Sequence, residues 1–265
     1  MGWCDAARAL ETPYFDGIRP LLQELSSATW PTLSQLNALA VKFAIRNSPG
    51  VPIQFVPPSV DTISAMRYET RIAETGEVPT RDNWHDLFNA LQWIAFPCMK
   101  SALNTQHVRL LVAGGACEAN ARTVPRDVLT MFDESGVIVA SADQSLLELV
   151  RAFKWRELFV DRREEVIASV RFILVGHGLM EKSLAPFIGM TAKALLLNLD
   201  ARSTAINQSV AKWLLNDANI SDAHHLAPLP LLGIPGWDAR SESASFYAND
   251  EYFRPGRRIA AGRMR

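Results

Sequence analysis

The spacing of apolar positions changes period several times along the 265 residues. Between Leu33 and Ile45, apolar side chains fall at Leu33, Leu36, Leu39, Ala40 and Phe43. That spacing predicts a helix, which Asn47-Ser48-Pro49-Gly50 ends. Val51–Val56 reads as a short strand stopped by Pro57-Pro58. A helix is expected from Asp61, a good cap, to about Ala73, closed by Thr75-Gly76. The clearest helix spans Asp82 to Phe96, capped by Asp82 or Asn83 and interrupted at Pro97. Helical character resumes through Leu103 and fades towards Gly114-Gly115. Val128–Asp133 and Val137–Ala140, joined across Glu134-Ser135-Gly136, read as a hairpin. Helices are expected at Gln144–Phe153 and Arg162–Ser169. Val170–Val175 reads as a buried strand feeding Gly176-His177-Gly178 and a short helix. One more helix is expected between Ser203 and Leu215. From Ala227 onward, Pro228, Pro230, Gly233, Pro235 and Gly236 predict ordered loop. There is no internal repeat, heptad run or low-complexity block. The pattern predicts an α+β, predominantly helical single domain over residues 1–265 with a small β-sheet or hairpin. Residues 1–29 would be an N-terminal extension, and 227–265 a Pro/Gly-rich loop with a basic tail.

Composition narrows the function classes. A hydrophobic share of 48% supports a substantial core. The 27 Lys and Arg nearly cancel the 28 Asp and Glu, so nucleic acid is not an expected partner. Arg254, Arg257, Arg258, Arg263 and Arg265 leave the tail as a local basic patch suited to phosphates or acidic surfaces, or as a solvated end. Cys4, Cys98 and Cys117 form no CxxC pair, and reduced thiols in a cytoplasmic protein are the expectation. The N-terminus lacks a basic region followed by an apolar core. The most apolar stretches, Val170–Val175 and Ala192–Leu199, are far shorter than the ~20 residues of a membrane span. The expectation is a soluble protein with no membrane partner.

Candidate chemistry concentrates on the helix beginning at Asn83. At ~100° per residue, His85, Asp86, Asn89, Gln92 and Trp93 share one side, whereas Leu87, Phe88, Leu91, Ile94 and Ala95 form the opposite, core-facing side. A histidine, a carboxylate and two amides in one stripe can bind a metal or orient a ligand. The same stripe can be a solvated face or an internal hydrogen-bonded network. His177 and Glu181, four residues apart, share a helical face beyond the Val170–Val175 strand. Asp127, Asp133 or Glu134 could join a histidine around a divalent ion, although acidic residues at a turn are ordinary. His224-His225 precede the Pro-rich loop as pocket-lining candidates, and His107 has no patterned partner. No GxGxxG fingerprint, Walker loop or GxSxG elbow is present.

Longer motifs carry a family resemblance. Thr75-Gly-Glu-Val-Pro-Thr-Arg81, Asn83-Trp-His-Asp-Leu-Phe-Asn-Ala-Leu91, and Phe96-Pro97 with Lys100 and Leu103-Asn104 come first. Asp127-Val-Leu-Thr-Met-Phe-Asp-Glu134, Gly176-His177 with Glu181, and Pro228-Leu-Pro-Leu-Leu-Gly-Ile-Pro-Gly-Trp237 follow, and Phe246-Tyr247 and Phe253-Arg254-Pro255 close the set. With these motifs the chain resembles an uncharacterised bacterial family, domain of unknown function three-zero-two-five, from about residue 30 onward. The resemblance implies no activity. Asp238 after Trp237 and Cys98 after Pro97 depart from the family pattern, where an aromatic residue and an arginine are expected. The His-Asp pair at 85–86 is also the core of the HD-type metal phosphohydrolases, but these need another histidine well upstream, and none precedes His85.

The leading expectation is a divalent-metal-dependent hydrolase acting on a small polar substrate. His85, Asp86 and His177 would hold the ion, Glu181 or Asp133 would act as base, and Asn89 would orient substrate. Trp84 and Trp237 are the substrate-binding candidates, and no organic cofactor is indicated. The rival expectation is a non-catalytic binding or scaffold protein in which these residues form a buried polar network.

Overall fold

The computed structural model describes residues 2–25, 29–58, 65–114 and 123–256, together covering both candidate histidines. The fold is α+β and predominantly helical. Its centre is a four-stranded sheet in the order β4-β3-β5-β6, with β3 at Gly136–Ser141, β4 at Arg171–Leu174, β5 at Thr191–Asn198 and β6 at Ala227–Pro230. A separate parallel pair joins β1, Gln54–Val56, to β2, Glu77–Pro79.

β3 explains the layering. Every residue of Gly136-Val-Ile-Val-Ala-Ser141 is buried, as befits an interior strand covered on both faces. Side chains alternate across a strand. Val137 and Val139 therefore join the core containing the Trp84–Ala95 helix, and Ile138 and Ala140 join the core containing Val128, Leu129 and Phe132. β5 runs parallel to β3, with Val137 opposite Ala194, and repeats the division: Ala192 and Ala194 face one core, Leu195 and Leu197 the other. The short apolar run at 192–199 is thus a central strand, although Ala and Leu favour helix in isolation. Burial on both faces overrides that preference.

The expected hairpin is not formed. Val124–Ser135 is a helix with proline in its first turn, and β3 starts at Gly136 directly after it. Val128, Leu129 and Phe132 are fully buried at positions i, i+1 and i+4, a helical stripe that period-two alternation had obscured. The expected loop from Ala227 also begins as a strand, antiparallel to β5, and then continues as short 3-10 turns. Pro228 and Pro230 sit on this outermost strand, where a missing N–H costs no interior ladder bond.

Other expected elements appear with shifted ends. Leu33–Lys42 is capped by Thr32 and Gln35, and Val51–Val56 contributes only Gln54–Val56 as strand. The second helix is Ala65–Thr75, and its expected cap Asp61 lies outside the described residues. Pro97 opens a new helix that stays regular up to Ala113, next to the Gly114-Gly115 pair where helical character is expected to fade. Gln144–Arg151, Arg163–Ser169, His177–Lys182 and Ile206–Leu214 complete the expected set. Tyr14, Phe15 and Ile18 are fully buried in the main core, so this N-terminal segment packs as part of it. Among the described residues no helix is long and apolar enough to cross a membrane.

Phe132 tests the helical placement of 124–135. Phe132→Ala should destabilise the protein by about 3–5 kcal/mol, measured by urea unfolding. Val124→Ala, at an exposed position of the same helix, should change stability far less.

Candidate metal centre

Three chain segments meet to make the site. The Trp84–Ala95 helix starts at Asn83, whose side-chain oxygen accepts from the Asp86 N–H at 2.8 Å. That cap sets His85 in the first turn. The His177–Lys182 helix packs on this helix and on the C-terminal end of Val124–Ser135. Its approach depends on Gly176: the Gly136 carbonyl accepts from the N–H groups of Val175 at 2.9 Å and Gly176 at 2.8 Å. A Cβ at Gly176 would collide with the Ser135–Gly136 backbone.

The histidines meet tip to tip, with His85 Nε2 and His177 Nε2 3.1 Å apart. Glu134 Oε1 lies 3.8 Å from His85 Nε2 and 3.5 Å from His177 Nε2. A triangle with these sides has a circumradius (product of the sides over four times the area) of about 2.0 Å, and metal–nitrogen and metal–carboxylate bonds are ~2.0–2.2 Å. One point is therefore within bonding distance of all three donors, which together can hold a metal ion. Gly178 keeps the triangle open, because a Cβ there would strike the Glu134 carboxylate.

Two carboxylates face the other ring nitrogens. Glu181 Oε2 is 3.4 Å from His85 Nδ1, and Asp133 Oδ1 is 3.8 Å from His177 Nδ1. Asp133 also accepts from Lys100 Nζ at 2.6 Å, and Lys100 is buried. Burial alone would raise the Asp133 carboxyl, but the charges of Lys100 and then His177 outweigh it and hold it down at about 2. Contact with His177 likewise keeps the Glu134 carboxyl below its usual range, against the opposing effect of burial.

A cavity of about 540 Å³ opens beside the triangle, lined by His85, Glu134 and His177 together with Tyr68, Asn89, Arg126 and Thr130. Arg126, Thr130, Asp133 and Glu134 lie at helical spacing on one face of Val124–Ser135, which a helical reading of that segment would have found. Asn89 donates to the Tyr68 hydroxyl at 3.0 Å. Burial, then the charge on Glu69, pushes the Tyr68 hydroxyl up, so it stays protonated. His107 also lines this cavity. His85 and Glu134 reach a second cleft as well, shared with Glu181, Lys182 and Phe187.

The polar stripe on the His85 helix is a buried one: Asp86, Asn89 and Gln92 are all shielded from solvent. Asp86 lines the cavity but stands apart from the histidine pair. Its Oδ2 accepts from the Arg81 backbone N–H at 2.8 Å and from Arg81 Nε at 2.9 Å, and Oδ1 accepts from Arg81 Nη2 at 3.0 Å. Glu134 occupies the position that Asp86 was expected to fill. Asp133 is a poor base, because an ion-paired carboxyl near 2 has little affinity for a proton at neutral pH.

Trp84 and Trp237 are not among the lining residues. Trp84 stacks on Trp3 and Phe88 and meets Trp30 edge-on, and Trp237 packs edge-on against Tyr14 and Phe172. Both are core residues because large aromatic rings gain most from such contacts. His224 and His225 are likewise not lining residues of this cavity; they bond to Asp222 Oδ1 and the Asn219 carbonyl. Of the basic tail only Arg254 is described, and its backbone carbonyl accepts from Trp155 Nε1. Cys117 lies outside the described residues, and Cys98 is a free, half-buried thiol.

The match to a protein-family model spans residues 53–257, which includes every donor in the triangle, and the family is described as Protein of unknown function (DUF3025). The chain belongs to the DUF3025 family. No curated protein and no solved structure matches this DUF3025 chain.

The Asp133 carboxyl gives a pH prediction. Its folded value of about 2 is below the ordinary 3.8, so its stabilisation is fully present above about pH 4 and is lost as pH falls towards 2. The contribution is at most about 2 kcal/mol. Melting temperature should fall more steeply across that window in the wild type than in Asp133→Asn.

Proposed function

We propose that this DUF3025 protein is a divalent-metal-dependent hydrolase of a small polar substrate, with its ion held by His85, His177 and Glu134. The observation that carries the reading is the convergence of His85 Nε2, His177 Nε2 and Glu134 Oε1 on one point at bonding distance. Two imidazoles and a carboxylate, with no thiolate, suit zinc and other first-row divalent ions. Three protein donors leave a coordination position for water, the pattern of catalytic sites. A bound ion would lower the pKa of that water to ~7 and polarise a substrate carbonyl or phosphoryl oxygen. The adjoining cavity, about 540 Å³ with mixed polar and apolar walls, matches a small molecule. Asn89, Arg126 and Thr130 would contact the substrate.

A second reading has its own support. Arg81–Asp86 and Lys100–Asp133 are short ion pairs that tie elements together without any metal. The histidines could then be members of a buried network that fixes two helices, in a binding or scaffold protein.

Elemental analysis of the purified protein separates the two. The hydrolase reading expects a single divalent ion per chain, lost in His85→Ala and His177→Ala with the far-ultraviolet circular dichroism unchanged. Chelator-sensitive turnover should then emerge from a panel of simple esters, amides and phosphoesters. Failure of the wild type to bind Zn²⁺, Mn²⁺, Co²⁺ or Fe²⁺ tighter than millimolar would overturn it. A large stability loss in both variants without any metal would establish the scaffold reading. Gly178→Ala provides a gentler probe: its methyl displaces the Glu134 carboxylate, so metal affinity should fall at least ~10-fold while the fold survives.

A further inference from the structure

A neutral imidazole has one N–H and one lone pair, and only the lone pair can bind a metal. Ionised carboxylates accept hydrogen bonds and cannot donate them. The nitrogens facing Glu181 and Asp133 are the two Nδ1 atoms, at 3.4 and 3.8 Å. A proton on each Nδ1 therefore gives Glu181 and Asp133 a donor, and leaves both Nε2 lone pairs facing Glu134 Oε1 at 3.8 and 3.5 Å. That choice points both bare Nε2 lone pairs at each other across 3.1 Å. Two neutral rings bonded directly to each other would need one proton on Nε2, which sets a bare Nδ1 against a carboxylate. A cation between the rings removes this conflict and leaves every nitrogen satisfied.

The His177 side carries further marks of this arrangement. His177 Nδ1 is a buried atom with no hydrogen-bond partner, a state that destabilises the folded chain unless a partner is gained. A movement of under 1 Å would bring it into bonding range of Asp133, and such bonds often tighten only when a site is loaded. Asp133 is aimed by Lys100, a buried lysine that also lies 5.8 Å over the Trp93 ring. Burying an ammonium group is costly. Adjacent positions on the Val124–Ser135 helix then hold the two nitrogens of a single ring: Asp133 at Nδ1 and Glu134 at Nε2.

We propose that Asp133, anchored by Lys100, and Glu181 are positioning residues that fix the Nδ1–H tautomers of His177 and His85, so that both Nε2 lone pairs face one divalent ion. This assignment rests on the metal-centre reading above and replaces a general-base role for either carboxylate. Carboxylates placed behind metal-bound histidines contribute about 10–100-fold to metal affinity.

The test uses the full-length chain titrated with Zn²⁺ against a chromophoric chelator, with ¹⁵N NMR of the imidazole nitrogens as a second readout. In the Zn²⁺-loaded wild type both rings should carry hydrogen on Nδ1. Asp133→Asn, whose amide can donate to Nδ1, should weaken Zn²⁺ binding about 10–100-fold and place a proton on His177 Nε2 in the metal-free protein. Glu181→Ala, at a half-exposed side chain, should weaken binding similarly through His85, and Asp133→Glu should recover part of the affinity. A structural role alone would lower the melting temperature and leave affinity and tautomers unchanged. If the wild type binds Zn²⁺ but both variants stay within ~3-fold with Nδ1–H retained, the positioning assignment fails while the metal centre stands. If the wild type binds no divalent ion, both fall.

Discussion

One backbone junction governs the geometry of the site: the Gly136 carbonyl, at the start of the central strand, accepts from both Val175 and Gly176. It joins three elements at a single point. The Val124–Ser135 helix ends there, β3 begins there, and the segment leaving β4 turns there into the His177 helix. The side chains that matter lie within three residues of this contact on either strand of chain: Asp133 and Glu134 before Gly136, His177 after Gly176. Because Gly176 has no Cβ, its backbone approaches Ser135 and Gly136 more closely than a substituted residue would allow, and Gly136 lies as tightly against the Phe132 carbonyl and ring. The sheet, sealed on both faces, makes this junction rigid, and rigidity is what fixes donor atoms to fractions of an ångström.

Against this rigid corner the His85 helix supplies the opposing half. Its burial is unusual in that Asp86, Asn89 and Gln92 are buried along with its Phe and Leu residues. Buried polar groups must find partners. Asp86 finds Arg81, the Asn89 amide nitrogen finds Tyr68, and that of Gln92 donates to the Met180 sulfur at 3.3 Å, whereas Asn89 Oδ1 and Gln92 Oε1 are left without a partner among the described residues. With Asp86 paired to Arg81 and Asp133 to Lys100, Glu134 and Glu181 are the carboxylates left beside the two imidazoles, with Glu69, Arg126 and Lys182 further along the cavity walls.

The sequence made some of this legible and hid the rest for identifiable reasons. His85 and His177, 92 residues apart, stand out in the sequence through the polar stripe with Asp86, Asn89 and Gln92 and through the four-residue spacing to Glu181, and the fold brings them into contact. Glu134 is one of three carboxylates that the sequence offers as partners for a histidine around an ion, but it reads as a turn position, since Val-Leu-Thr-Met-Phe-Asp alternates well enough to imitate a strand. Its helical stripe needed Val128 to be read with Leu129 and Phe132. The strand at 191–198 went unrecognised because Ala and Leu carry no strand signature until the burial of both faces is known. Trp84 and Trp237 looked like pocket walls on residue type alone, but ring packing decides their place. Asp86 drew attention through its adjacency to His85, whereas its partner, Arg81, is separated from it by a cap. Local sequence shows which residues carry chemistry, and long-range packing decides which of them meet.

The two ion pairs flanking the site differ in a way that bears on its working conditions. The Arg81 side chain is 64% exposed, but those of Lys100 and Asp133 are 5% and 22% exposed. Mobile ions screen charges in contact with solvent over ~8 Å at physiological ionic strength and reach interior charges poorly. The pair behind His177 is thus insulated from the surrounding electrolyte, while the clamp at the cavity rim follows it. The DUF3025 fold separates an electrostatic setting that is constant from one that responds to its medium.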